Sequence, residues 1–209
     1  MKKELITKTL NKMYPDAKAE LDYTNNFELL IAVVLSAQTT DIGVNRVTPE
    51  LFNKFPTPEL LMNANQEEVE DLIKTIGLYR SKAKNIIGLS KILVEKHNSV
   101  VPSKRSHLEA LPGVGRKTAN VVLSNAFGKN YIAVDTHVSR VSKRLGIALE
   151  SDNVLTVEKK IESFFDKGDL HKLHHQLIFF GRYHCTARKP KCDVCELKEV
   201  CNFYKKMKK

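Results

Sequence analysis

Apolar residues recur at helical spacing along most of the chain, and no segment alternates as a strand would. Leu5, Ile6, Leu10 and Met13 form a first short stripe, stopped by Pro15. Phe27, Leu30, Ile31, Val34 and Leu35 form a wide second face that Asn25 or Asn26 can cap. It runs into the small polar stretch Ser36-Ala37-Gln38-Thr39-Thr40-Asp41. Thr48 and Pro49 are expected to open a short helix, by the preference for proline at the first helical position. Val69, Leu72, Ile73 and Ile76 mark a helix that Gly77 is expected to end, with Leu78 tucked back against its last turn. Ala83, Ile86, Ile87 and Leu93 mark the next helix, which fades at His97 and Asn98. Pro102 and Ser103 open another, and after it Ala119, Val122, Leu123 and Ala126 share one face. Asp135 is a natural cap for a helix through Val138, Val141 and Leu145. Asp152 is expected to cap one through Val154, Val157, Ile161 and Phe164. Leu170, Leu173, Leu177 and Phe180 make the last long stripe, ended by Gly181. The pattern predicts an all-α protein without a long repeat, a low-complexity tract or a flexible linker. Lys205-Lys206-Met207-Lys208-Lys209 reads as a frayed basic tail.

One junction between helices stands out. Leu111-Pro112-Gly113-Val114-Gly115-Arg116-Lys117-Thr118-Ala119 reads as a helix end, a tight turn and a new helix. Its two glycines admit a sharp bend and a close approach by a partner. The helix behind the turn presents free N–H groups and a positive dipole end, a natural phosphate site, with Lys117 in its first turn. An ordinary helical hairpin with a solvated lysine fits the turn equally. Composition changes the balance. The chain has 209 residues, enough for one domain or two small ones, and 34 Lys and Arg against 24 Asp and Glu give a formal net charge of +10. Such an excess suggests an anionic partner, most often nucleic acid. No segment resembles a signal peptide or is long enough to span a bilayer, so no membrane contact and an intracellular, cytoplasmic protein are expected. Structural disulfides are not expected there.

All four cysteines, Cys185, Cys192, Cys195 and Cys201, fall in one short segment spaced C-x6-C-x2-C-x5-C. Four thiolates so close suit a metal centre. Zinc ribbons usually use two C-x2-C pairs, and only one is present. A [4Fe–4S] cluster takes one cysteine per iron and tolerates uneven loops, so the spacing favours the cluster and leaves zinc open. Ligation at four points also stabilises a weakly packed C-terminus without any redox role. The loop between Cys185 and Cys192 carries Arg188, Lys189 and Lys191, a cationic element suited to phosphate contact. Each cation taken singly also fits a solvated face.

Taken together, the Leu-Pro-Gly-Val-Gly-Arg-Lys-Thr-Ala turn, Val-Asp-Thr-His at 134–137 and the cysteine-rich end resemble the endonuclease III family, in this order and from about residue 25 to 203. These are helix–hairpin–helix DNA glycosylases that remove oxidised pyrimidines and cleave at abasic sites. The resemblance implies two helical domains: a six-helix barrel with the hairpin (20–130), and a discontinuous iron–sulfur domain (1–19 with 131–209). It places the active site in a groove between them. It implies a [4Fe–4S] cluster on the four cysteines, a monomer, and a partner in double-stranded DNA bearing damaged bases or abasic sites, with nucleoid association when bound. Lys117 matches the nucleophile and Asp135 the catalytic carboxylate. Gly113, Val114 and Gly115 match the turn whose N–H groups bind the DNA backbone. Gln38 matches the residue that fills the gap left by a flipped nucleotide, and Leu78 a wedge beside the opposite strand. Glu109 and His137 match positions near the site.

The chemistry is coherent. A base stacked in a duplex must be flipped out before its sugar carbon can be attacked. The Lys117 amine must be uncharged to attack, and burial, Arg116 and the helix N-terminus are expected to favour that form. Asp135 is suited to stabilise positive charge at the sugar or to accept a proton. Adenine glycosylases of the same superfamily lack the lysine and use a glutamate on an early helix, whereas Ile31 to Gln38 carries no carboxylate. The 8-oxoguanine lyases share the lysine and aspartate but generally lack the cluster. A non-enzymatic iron–sulfur DNA-binding or redox protein would need neither Lys117 nor Asp135. A related glycosylase of different lesion specificity is the remaining alternative.

Overall fold

The computed structural model describes residues 1–166 and 168–208; Lys167 and Lys209, the last residue of the basic tail, lie outside the described residues. The described chain is helical, with no strand. In order it forms α1 (Lys2–Met13), α2 (Asn26–Leu35), α3 (Asp41–Lys54), α4 (Pro58–Met62), α5 (Gln66–Ile73) and α6 (Tyr79–His97). Then come α7 (Arg105–Glu109), α8 (Arg116–Phe127), α9 (Thr136–Leu145), α10 (Val154–Phe165), α11 (Leu170–Phe179) and α12 (Asn202–Met207). Among the described residues no helix is long and apolar enough to cross a membrane. The chain divides into two compact units: Glu20–Phe127, and Met1–Ala19 together with Gly128–Lys209.

In the first unit, α2 is the central helix. Asn25 Oδ1 accepts from Glu28 N at 3.0 Å, and the Glu28 carboxylate reaches back to Thr24 N at 2.6 Å, a reciprocal cap. Phe27 to Leu35 are buried on every side, more than the one face the periodicity predicts. Helix α3 starts at Thr40, whose hydroxyl accepts from Gly43 N, and runs on through Pro49. Pro49 therefore opens no helix. It sits on the exposed side, where its missing N–H is least costly. The proline rule operates at Pro58 instead: Thr57 caps α4 and Pro58 is its first residue. Helix α5 ends at Ile73, ahead of Gly77. The left-handed residue there is Leu78 (φ 60°, ψ 26°), which is 58% exposed and not packed on the preceding turn. Helix α7 begins at Arg105, later than Pro102, which is buried.

The second unit is closed by its N-terminal helix. Ile6 and Leu10 of α1 join Val138, Val141 and Leu145 of α9, Val157 and Ile161 of α10, and Leu173 and Leu177 of α11 in one core. Each such side chain stabilises the fold by about 1.5–3 kcal/mol when fully buried. The cap of α10 is Asn153, not Asp152, because Asp152 Oδ2 is taken by Leu149 N and Lys160 Nζ, each at 2.7 Å. Gly181 does not end the last stripe. Helix α11 passes into a π turn, Phe180–His184, that contains it.

Helix α11 also buries His175, whose Nε2 has no hydrogen-bond partner among the described residues. The His174 and His171 rings stand 4.9 and 5.1 Å away. Burial, with His171 second, pushes the His175 imidazole down to about 4. Below an unfolded value of ~6.5 the unfolded chain then binds more protons than the folded one. Stability is intact above that pH and falls as pH drops towards 4, by on the order of 3 kcal/mol. Denaturation midpoints of His175→Gln, measured at pH 7 and pH 4.5, should lose most of this acid sensitivity; an unchanged pH slope would contradict the assignment.

Candidate functional site

The hairpin between α7 and α8 is built on α6. Gly113 adopts φ +76°, and a Cβ there would stand 2.9 Å from Asn85 Nδ2. Both conformation and space therefore demand glycine. A Cβ at Gly88, one turn further along α6, would lie 3.4 Å from Pro112 Cγ, an ordinary contact distance, so Pro112 packs beside α6 there. Leu111 and Val114 are buried and anchor the turn, while Gly113, Gly115, Arg116 and Lys117 are exposed. The first intrahelical bond of α8 runs from Ala119 N to Gly115 O at 2.9 Å. The amides of Arg116, Lys117 and Thr118 stand ahead of it, at the positive end of the helix. Lys117 is open to solvent, so the burial expected for its amine is not provided by this unit. Glu109 closes α7 and is exposed.

Two further loops meet beside α6. Gln38 (φ 55°) is exposed just past α2, and Leu78 (φ 60°) is exposed at the start of α6. Left-handed backbone at non-glycine residues costs about 1–2 kcal/mol each. The loops are adjacent: a Cβ on Gly77 would be 3.9 Å from Gln38 O.

In the second unit Asp135 caps α9, its Oδ1 accepting from Val138 N at 2.7 Å. The cap uses one oxygen and leaves the carboxylate half-buried at the positive end of the helix. His137 follows within the first turn, its Nδ1 3.2 Å from Arg140 Nη2. Burial pushes the His137 imidazole down; Asp135 opposes this, and Arg140 and Arg182 reinforce it. A guanidinium only donates, so Nδ1 is the acceptor of a neutral ring. Arg140 also donates to Gly181 O at 2.8 Å and to Cys185 O at 3.2 Å, tying α9 to the π turn.

Cys185, Cys192, Cys195 and Cys201 form no disulfide, are half-buried and ring one small open cavity, with Leu197 and Phe180 in its wall. Arg144 organises the rim. It donates to Cys185 Sγ at 3.4 Å, Thr186 O at 2.7 Å and Ala187 O at 3.0 Å, and stacks on Phe203 at 4.3 Å. Burial, then the Cys185 and Cys201 sulfurs, push the Cys192 thiol up; burial does the same to Cys195, partly offset by a backbone hydrogen bond from Leu197. Four thiol sulfurs around one cavity form a donor set suited to a cationic core. Among the described residues no three His, Cys, Asp or Glu side chains converge on a single-ion site. The ring of four thiols fits the one-cysteine-per-iron ligation of an iron–sulfur group. Arg188, Lys189 and Lys191 stand exposed on the loop that Arg144 pins.

Residues 31–167 match the HhH-GPD superfamily of base excision DNA repair proteins, and residues 185–201 match the iron–sulfur binding domain of endonuclease III. The chain is 54% identical to endonuclease III of Bacillus subtilis over 198 residues, 95% of this chain and 90% of that protein. It is 48% identical to endonuclease III of Escherichia coli over 204 residues, 98% and 96% of the two chains. Among solved structures, a trapped endonuclease III–DNA covalent intermediate superimposes with a TM-score of 0.92 at 52% identity, covering 99% of each chain.

The sequence pattern does not disclose Arg140 and Arg144, nor the role of Gly181, which reads as a helix stop. A Cβ on Gly181 would lie 2.8 Å from His137 Cβ, so the glycine sets how closely the π turn approaches α9. Gly181→Ala should lower stability by about 1–3 kcal/mol through this overpacking. Urea unfolding measures it, and a loss below ~0.5 kcal/mol would show that the contact relaxes freely.

Proposed function

Because the chain belongs to the endonuclease III family of base excision DNA repair proteins, we propose that it removes oxidised pyrimidines from duplex DNA and then cleaves the strand at the abasic site. It is a DNA glycosylase and its cofactor is a [4Fe–4S] cluster, for which we propose the four cysteines as ligands. The cluster gives the C-terminal segment a cross-linked anchor. We further propose that Glu20–Phe127 is the hairpin-bearing barrel domain and that the other unit is the iron–sulfur domain.

The observation that carries this reading is the position of Lys117, exposed in the first turn of α8 directly after the Gly113-Val114-Gly115 turn. Exposed amides of the turn suit a phosphate, and a phosphate held there brings one sugar to the adjacent amine. A 52% identical neighbour is described as a trapped covalent intermediate with DNA, and such an intermediate requires a nucleophile. In the proposed reaction the flipped nucleotide leaves a gap that Gln38 fills, while Leu78 wedges the stack. Bound DNA removes water from the Lys117 amine, which attacks C1′ as the bond from C1′ to the base breaks. The sugar ring opens to a Schiff base, a C2′ proton is removed, and the C3′–O bond breaks with the phosphate as leaving group. Hydrolysis then restores the amine. Asp135, half-buried at a helix N-terminus, stabilises the positive charge that develops at the sugar, or takes up a proton. Arg188, Lys189 and Lys191 contact phosphates and position the duplex without reading its sequence.

Borohydride reduction during reaction with an oxidised-pyrimidine duplex should trap a covalent adduct that Lys117→Ala does not form. Asp135→Asn should keep the fold, since asparagine is an equal helix cap, while base release slows at least ~100-fold, about 3 kcal/mol. An alanine variant that traps as well as the native chain would remove Lys117 from the mechanism.

A further inference from the structure

Lysine is almost never fully buried unless its charge is paired. Lys82 is only 3% exposed, and its Nζ makes one hydrogen bond, to the neutral hydroxyl of Thr39 at 2.7 Å. Among the described residues no carboxylate pairs with it. Burial pushes its ammonium down. A buried cation held by one neutral oxygen is a poor stabilising device, and an apolar side chain of similar volume would serve a core better. The placement of the bond offers another reason for it.

Lys82 lies in the first turn of α6, and its amide closes that turn on Leu78 O at 3.0 Å. Thr39, at the other end of its side chain, is the neighbour of Gln38, and Thr39 N is itself bonded to Ser36 O at 3.1 Å. One residue therefore holds the two exposed left-handed positions, Leu78 through its backbone and the Gln38 loop through its ammonium. The loops lie side by side where Gly77 faces Gln38 O. Two strained turns side by side need something to hold their relative position, and a donor with three protons on a buried stem does so without exposing itself to a ligand.

We propose that Lys82 is a positioning residue that, through Thr39, locks the Gln38 and Leu78 loops into one rigid element able to hold a vacated base stack open. This rests on the reading of Gln38 and Leu78 given above. The penalty for losing the lock should scale with the resistance of the stack. That resistance is large for a lesion in a continuous duplex and small where the opposite nucleotide is missing.

The test is single-turnover excision of thymine glycol from a continuous duplex and from the same duplex with a one-nucleotide gap opposite the lesion. Lys82→Met should slow the continuous substrate about tenfold, about 1.4 kcal/mol, and the gapped one by no more than about twofold. Thr39→Val should reproduce this pattern, Thr39→Ser should retain the native rate, and the Lys82→Met/Thr39→Val double variant should be no slower than either single one. Equal losses on both substrates would assign Lys82 a general structural role and overturn the proposal. So would a Thr39→Val variant as fast as Thr39→Ser, a result that decides the matter even if Lys82→Met fails to fold. Gln38→Ala and Leu78→Ala separate the two levels. If they slow the continuous duplex and neither Lys82→Met nor Thr39→Val does, the lock alone is wrong. If they leave it unchanged, the reading of those loops fails and the lock with it.

Discussion

The packing of helix α6 fixes the exposed loops of the first unit. Ala83, Ile86, Leu89 and Leu93 on its inner side are fully buried. Its other positions are spent on loops: Leu78 starts it, Lys82 reaches Thr39, Asn85 receives Gly113, and Gly88 receives Pro112. A stripe of core side chains thereby sets the register of three surface pieces, the Gln38 loop, the Leu78 turn and the hairpin that leads to Lys117. Loops placed this way gain precision from a rigid element while remaining exposed for contact.

The second unit solves a related problem with charge and metal chemistry. Helix α9 presents Asp135 at its start and Arg140 and Arg144 further along, so one element supports both the carboxylate and the cysteine-bearing turn. The arginines satisfy carbonyls that the π turn and the loop after it leave without helical partners, which defines where Cys185 and the basic loop stand. Burial and the neighbouring sulfurs hold the Cys192 and Cys195 thiols against ionisation, and a bound cationic core would offset that cost.

Much of this was legible in the sequence because its signals are local. Helical periodicity predicts the all-α fold, the two glycines mark the hairpin, and C-x6-C-x2-C-x5-C marks the cofactor. The misreadings share a cause, a local signal overruled by packing. Pro49 looks like a helix start, but Thr40 caps further upstream and Pro49 faces solvent. Gly77 looks like a helix stop, yet the strain is carried by Leu78, a residue no propensity would choose. Gly181 is required by the nearness of His137, a contact more than forty residues away in sequence. Asp152 and Asn153 are both good caps, and only the turn at Leu149 and Lys160 decides between them. Lys82 is invisible because its burial is tertiary, and Lys117 is exposed where the proposed chemistry suggests burial.

The claim that α6 holds the surface pieces together makes them one cooperative unit, and native-state amide hydrogen exchange tests this directly. The amides of Thr39, Lys82, Val114 and Ala119 are each hydrogen-bonded and report the Gln38 loop, the start of α6, the hairpin and α8. Leu89 is fully buried in α6, and Leu89→Ala should destabilise it by about 2–5 kcal/mol. The opening free energies of all four amides should then fall together by a common amount. If Lys82 loses protection while Thr39 and Val114 keep theirs, the loops hold themselves and α6 does not organise the site.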